Sequence, residues 1–114
     1  MGLIYHIAYP ADWHRAQGEG GYRVSTRGRM LDEEGFIHAS TASQVAPVAN
    51  AVYADEDDIV VLVIDEELVG AAIVYEAVPG SDELYPHIYG PLNLDAVVGT
   101  RPLVRSASGR YTFD

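Results

Sequence analysis

The sequence predicts an α+β fold with mostly antiparallel sheets. About six short apolar stretches rich in β-branched residues are separated by turns, which is typical of short strands. Only two segments, both in the N-terminal half, space their apolar residues as a helix does. The 114 residues fit one hydrophobic core, with neither an internal repeat nor a long linker, so we expect residues 1–114 to form a single domain.

The first strand is predicted over residues 3–8, and a short helix follows it. The strand is apolar apart from His6, and Pro10 suits the first turn of a helix that continues through Trp13. A glycine-rich turn at 18–21 ends this helix. Because the turn lacks both the lysine and the spacing of a phosphate-binding loop, we interpret it as a simple connection.

The second helix is predicted directly after a short strand from Phe36 to Ala39. Thr41 and Gln44 have the spacing of a capping box, which marks a helix N-terminus. An apolar stripe at helical spacing follows, made of Val45, Val48, Ala49, Val52 and Tyr53. Pro47 has no N–H to donate, so either the regular helix begins near Ala46 or its first turn is distorted.

The second half of the chain is predicted to consist mainly of strands. Residues 59–64 and 71–78 are expected to be core strands joined by an acidic turn, and 96–105 another strand. Gly109 marks a turn into a last strand that ends at Phe113. Acidic residues gather between the apolar stretches, and we expect these runs to be solvated loops: Asp32–Glu34, Asp55–Asp58, Asp65–Glu67 and Asp82–Glu83.

Composition and charge exclude several kinds of chemistry and partner. Without cysteine there are no disulfides, no thiolate catalysis and no cysteine–zinc sites, and without lysine there is no Schiff-base catalysis. The net charge of -10 disfavours nucleic acid and anionic membranes as partners. No apolar run approaches the roughly 20 residues that span a bilayer. No secretory signal is visible, so the cytoplasm is the expected location.

Strand alternation makes His6, His38 and Glu76 candidates for a functional site. His6 points the same way as Ile4 in a strand that is apolar on both faces, so we expect it to be buried. His38 shares a face with Ser40. Glu76 lies in an apolar strand, where a carboxylate needs a partner or a function.

A third histidine-bearing segment runs from Pro86 to Gly90 and places His87 and Tyr89 on one face. A single histidine in an apolar strand is usually a core residue with satisfied hydrogen bonds. Three such histidines together with a carboxylate indicate instead that some of them share a site.

The second predicted helix offers a place for an anion. His38 and Ser40 directly precede its start at Thr41, where backbone N–H groups and the positive end of the helix dipole favour negative charge. Arg27 is the middle one of three neighbouring arginines in an otherwise acidic chain, and arginine suits phosphate recognition. The expected partner is a small anion or nucleotide, unless these arginines are merely solvated.

These segments resemble a family of small bacterial proteins, the domain-of-unknown-function family 952. The resembling stretches span nearly the whole chain: Ile4-Tyr5-His6, Glu34 to Thr41 with Gln44, Val48-Ala49-Asn50, Glu76, and Pro86 to Leu92. The family in turn is similar to the ADP-ribosyltransferase superfamily, which includes NAD-dependent RNA 2′-phosphotransferases. That similarity implies two small, mostly antiparallel sheets that form a cleft for NAD without a Rossmann glycine fingerprint.

The resemblance implies transfer or hydrolysis of the ADP-ribose moiety of NAD. Glu76 would stabilise the oxocarbenium-like transition state and orient the nucleophile. His6, which follows Tyr5 as in the first motif of the superfamily, would hydrogen-bond the ribose. His38 or Ser40 would occupy the position of the second motif.

The resemblance also implies contacts for the rest of the cofactor. The helix start at Thr41, together with Arg27, would hold phosphate, and Tyr89 would stack on a ring. His87 belongs to a specific motif and is a catalytic candidate without an assigned chemical step.

Two alternatives come from other classes of function. A non-catalytic module could use the same cleft to bind a nucleotide or another small anion. Alternatively, His6, His38 and His87 with Glu76 are a workable ligand set for a metal ion. Because no two of them have close ligand spacing, we expect no metal.

Overall fold

The computed structural model describes residues 2–113, which form three helices and ten short strands. The helices are α1 Pro10–Glu19, α2 Leu31–Glu34 and α3 Ala42–Val52. The strands are β1 Leu3–Ala8, β2 Val24–Thr26, β3 Arg29–Met30, β4 Ile37–His38, β5 Val60–Asp65, β6 Ala72–Ala77, β7 Leu84–Tyr89, β8 Val97–Pro102, β9 Val104–Arg105 and β10 Tyr111–Thr112. The predicted α+β class is confirmed, and all strand pairings are antiparallel.

Two three-stranded sheets carry the structure. The first has the order β1-β5-β8 and the second β4-β7-β6, while β2–β3 and β9–β10 form two small ribbons. The edge strand β1 contacts the segment just after the edge strand β4 at one bridge, in which Tyr5 and Ser40 exchange both backbone hydrogen bonds. This bridge holds the two sheets side by side.

Strands β1 and β5 of the first sheet are apolar on both faces, and both of these faces are covered, whereas β8 is largely exposed. On one side Ile4 belongs to a core cluster that includes Ile37 and Ile88 of the second sheet. On the other side Tyr5 packs in a cluster with Val45 of α3. Alternate side chains of β1 therefore pack into two different cores. His6, which points to the same side as Ile4, is buried as predicted.

The second sheet has one buried and one open face. Ile37 pairs with Ile88, which pairs with Ile73, and these side chains close the first core. The next positions along the strands, His38 opposite His87, therefore point to the other face. Strand β6 was expected to be a core strand, but it is the outer edge of this sheet and most of its residues are exposed.

Two local predictions need correction. The acidic run Asp32–Glu34 is not a loop but lies in α2, which ends at Gly35 in the left-handed conformation with φ of 87°. The second helix does not begin near Ala46: α3 begins at Ala42 and keeps Pro47 inside it. Pro47 is the sixth of the eleven residues of α3, and because its nitrogen carries no hydrogen, the helix lacks the backbone bond that this position would donate to Ser43.

No helix among residues 2–113 is both long and apolar enough to cross a membrane.

Candidate functional site

The open face of the second sheet forms a cavity of about 410 Å³ that we call the acid–histidine cavity. The β4–β7 pairing sets His38 directly opposite His87, and β6 brings Glu76 to the same face. The lining residues are Glu34, Phe36, His38, Glu76, Ala77, Val78, Pro79, His87 and Tyr89. The sequence-predicted residues Glu76, His38, His87 and Tyr89 thus lie in one place.

Glu76 holds His87 and Tyr89 together. His87 Nδ1 lies 2.8 Å from Glu76 Oε1, and the Tyr89 hydroxyl donates to the same oxygen at 2.5 Å. The Tyr89 and then the His87 hydrogen bonds lower the pKa of Glu76, so this carboxyl is ionised at neutral pH. An ionised carboxylate only accepts, so His87 donates through Nδ1–H and, when neutral, carries its lone pair on Nε2.

The Nε2 atom of His87 is the unusual atom of this site. The side chain is only 3% exposed, and Nε2 is the one buried side-chain nitrogen or oxygen of residues 2–113 that lacks a hydrogen-bond partner. An unsatisfied buried polar atom costs free energy and calls for an explanation. This unpartnered nitrogen makes His87 the histidine of the site most in need of a functional explanation.

A second histidine–carboxylate pair lies beside the first. His38 Nε2 is 3.3 Å from Glu34 Oε1, and Glu34 also accepts from Arg29. The hydrogen bonds from His38 and Arg29 lower the pKa of Glu34. Burial lowers the pKa of His38 despite its bond to Glu34, so this imidazole is neutral at neutral pH.

The two imidazoles are in contact and share an aromatic support. The ring centroids of His38 and His87 are 5.4 Å apart, in an edge-to-face arrangement. Phe36 stacks on His87 with 4.0 Å between centroids. This packing fixes the ring of His87 between Phe36 and the carboxylate of Glu76.

The charged side chains that line this cavity are acidic. Two carboxylates, Glu34 and Glu76, line it, and no arginine is among the described residues of the lining. Arg29 contacts Glu34 but is itself 63% exposed. The cavity is therefore suited to a ligand or transition state that carries or develops positive charge.

A second cavity, of about 300 Å³, adjoins the first and shares His38 and Val78 with it. It lies where β1, β4 and the outer face of α3 come together, and we call it the tyrosine cavity. Its lining is Tyr5, His6, Ile7, Thr26, His38, Ala39, Ser40, Pro47, Val48, Ala51, Val52, Tyr53, Val78 and Tyr85. None of these described lining residues is an aspartate, glutamate or arginine.

His6 is held in the seam between the sheets rather than in the acid–histidine cavity. Its Nδ1–H donates to the backbone carbonyl of His38, and its Nε2 accepts from the Tyr22 hydroxyl at 2.9 Å. Burial lowers the pKa of His6 to about 4. With both nitrogens occupied by protein groups, His6 positions His38 through its backbone.

The remaining predicted contacts lie apart from the acid–histidine cavity. Ser40 is buried and lines the tyrosine cavity. Thr41 is the residue before α3, and its N–H donates to the Gln44 side chain. Arg27 forms an ion pair with Asp55.

Glu34 and Phe36 are the residues that the sequence reasoning missed. Glu34 was hidden in an acidic run, although its position four residues before His38 is a spacing at which side chains often meet. Phe36 shares a strand face with His38, but nothing in the neighbouring sequence indicates that it stacks on His87, which lies 51 residues later in the chain. Both contacts depend on how the strands pair.

The metal-site alternative finds no support in the described residues. Within residues 2–113 no group of three or more histidines and carboxylates is arranged to hold a metal ion. His6 in particular has no free nitrogen, because both ring atoms are hydrogen-bonded.

The chain belongs to the family described as Protein of unknown function (DUF952), whose model matches residues 7–100. It is similar to the solved structures of protein CC0527 from Caulobacter crescentus. The crystal structure is 29% identical, covers 96% of this chain and 93% of that chain, and has a TM-score of 0.82.

Two further structures of CC0527 agree with this likeness. A double-mutant crystal structure, at the same identity and coverage, has a TM-score of 0.81. The solution NMR structure is 30% identical over 96% of this chain and 91% of that chain, with a TM-score of 0.78. No curated protein matches the chain. The family and the fold are thus identified.

Proposed function

We propose that this protein binds a small molecule in the acid–histidine cavity and catalyses cleavage or transfer at a carbon that becomes cationic. The observation that carries the proposal is the Glu76 carboxylate, which His87 and Tyr89 fix on the wall of a cavity whose described lining residues include no arginine. Acyl and phosphoryl transfer develop negative charge and need donors or cations. An oxocarbenium ion needs the reverse, a carboxylate.

The bond between nicotinamide and ribose in NAD is the substrate bond we propose. The C–N bond breaks, its electron pair leaves with nicotinamide, and the ionised Glu76 stabilises the positive ribosyl carbon. A water attacks that carbon and releases its proton to solvent, which yields ADP-ribose, nicotinamide and a proton. The phosphates would extend out of the acidic cavity, where Arg29 borders Glu34. The same class of reaction is what the resemblance of the sequence segments around Tyr5-His6 and His38 implies.

The test is release of nicotinamide from NAD. Wild-type protein is expected to release it, and Glu76→Gln, which keeps the size of the side chain but removes the charge, is expected to be about 100-fold slower or worse. Glu67→Gln makes the same chemical change at an exposed position outside both cavities and should act as wild type. Absence of release by wild type, or full activity of Glu76→Gln, contradicts the proposal.

A non-catalytic binding module is the second candidate function. One observation favours it: Nε2 of His87 is buried, so in this arrangement the imidazole does not reach a water as a general base would. A binding module would take up NAD or another nucleotide without releasing nicotinamide, and Glu76→Gln would leave the turnover at the same background level. Measuring binding and release on the same samples separates the two functions.

A further inference from the structure

We infer that the tyrosine cavity binds a neutral aromatic alcohol, whose hydroxyl donates a hydrogen bond to His38. In the proposed reaction this alcohol takes the place of water as the acceptor, and that acceptor role rests on the proposed function. The binding itself depends only on the tyrosine cavity and can be tested alone.

The lining selects an uncharged, largely apolar ligand. Tyr5, Tyr53 and Tyr85 supply aromatic surface, and Val48 and Val52 of α3 supply aliphatic surface. Since no described aspartate, glutamate or arginine lines the cavity, a charged ligand would lose its hydration without gaining a countercharge. The volume of about 300 Å³ is at the small end for ligand sites, which suits a molecule of one or two rings.

His38 gives the cavity a defined hydrogen-bond acceptor. The ionised Glu34 accepts from Nε2–H of His38, so the lone pair of the neutral imidazole is on Nδ1. His6 also lines the cavity, but both of its nitrogens are already hydrogen-bonded to protein groups. A ligand hydroxyl therefore has His38 as its imidazole partner.

The position of His38 connects this ligand to the reaction. His38 and Val78 line both cavities, so a hydroxyl held by His38 lies at the junction. In transfer, the C–N bond to nicotinamide breaks and its electron pair leaves with nicotinamide. The alcohol oxygen forms the new bond to the ribosyl carbon, and its proton passes to Nδ1 of His38. The products are an O-glycoside of ADP-ribose with the alcohol, nicotinamide and a proton.

The binding test uses 2-naphthol as the ligand. Binding is monitored through the fluorescence of 2-naphthol itself, excited at wavelengths longer than those that tryptophan absorbs. We expect saturable binding to wild type, weakened about tenfold or more by Ala51→Trp, which fills the cavity from α3. Ala42→Trp places the same side chain on the same helix outside both cavities, and its affinity should stay within about twofold of wild type.

Two probes and one variant test the role of His38. His38→Ala should weaken 2-naphthol by about tenfold, the usual scale of one lost hydrogen bond, and should leave 2-methoxynaphthalene unaffected. The anion 2-naphthalenesulfonate should bind far more weakly than either. Equal effects of Ala51→Trp and Ala42→Trp, or tight binding of the sulfonate, would overturn the site.

The acceptor role has a separate readout in the products. With NAD and 2-naphthol, wild type should form the naphthyl ADP-ribose adduct, and Ala51→Trp should form ADP-ribose instead. If nicotinamide is released while 2-naphthol is bound, but ADP-ribose is the only other product, the acceptor role is overturned. The proposed function is then still supported. Absence of nicotinamide release, with 2-naphthol bound as described, overturns the proposed function and with it the acceptor role, but supports the binding site.

Discussion

His6 and His87 have similar sequence surroundings and opposite environments in the fold. Each lies on a strand with apolar neighbours and a tyrosine within two residues, and each is almost fully buried. His6 has both nitrogens hydrogen-bonded, one to a backbone carbonyl and one to Tyr22. Nδ1 of His87 is hydrogen-bonded to the carboxylate of Glu76, whereas Nε2 has no hydrogen-bond partner among the described residues. Burial alone therefore does not distinguish a structural from a chemical histidine, but the partners of its two nitrogens do.

The largest effect expected from this comparison is on stability. His6→Leu should lower the free energy of unfolding by about 3 kcal/mol, because it leaves the His38 carbonyl and the Tyr22 hydroxyl buried without partners. His87→Leu should cost about 1 kcal/mol or less, since the half-exposed Glu76 can be hydrated in its place. Urea denaturation at neutral pH measures both. Equal losses would contradict the distinction.

The second effect is the pH dependence of stability. The pKa of His6 is about 4 in the folded protein and near 6.5 when unfolded, so the unfolded chain takes up the proton first as the pH falls. Stability should therefore decrease between about pH 6.5 and pH 4, by about 3 kcal/mol from this group.

The matched variant for this pH effect is His6→Gln, which keeps a hydrogen-bonding side chain but does not titrate in this range. The free energy of unfolding of this variant should not show the decrease with falling pH that His6 causes in wild type. The difference in free energy of unfolding between wild type and variant should therefore shrink steadily toward pH 4. A difference that stays constant with pH would mean that His6 is not held neutral by burial.

The smallest effect concerns the other member of the comparison. Tyr89→Phe removes the hydrogen bond that contributes most to lowering the pKa of Glu76, so that pKa should rise. Carboxyl carbon NMR across an acid titration measures the shift. Tyr75→Phe removes a tyrosine hydroxyl that binds Glu66 instead, and should leave the titration of Glu76 unchanged.

Local sequence patterns predicted a useful part of the fold and site. Strand alternation placed His6 inside and put His87 and Tyr89 on one face, and the capping spacing located the start of α3. These features depend on neighbours a few residues apart. The motifs around His38 and His87 therefore contain residues that line one cavity, although nothing in the motifs gave the geometry of that cavity.

The remaining features depend on pairings between distant segments. Glu76 meets His87 only because β6 and β7 pair in that register, and Arg27 meets Asp55 across 28 residues. The periodicity of the sequence does not specify such partners. For this reason Arg27 was predicted to be available for phosphate, and the segment that forms β6 was predicted to be a core strand. Glu34 was missed because a run of three acids looks solvated, while α2 and Gly35 turn it toward His38.

Histidine ring NMR during a titration with NAD tests the central claim most directly. With nitrogen-15 in the imidazoles, the resonances of His87 and His38 should shift at millimolar NAD, because their rings line the acid–histidine cavity. The resonances of His6, whose nitrogens both bond to protein groups, should stay in place. A shift of His6 with His38 and His87 unchanged would contradict the account and place the ligand in the seam between the sheets.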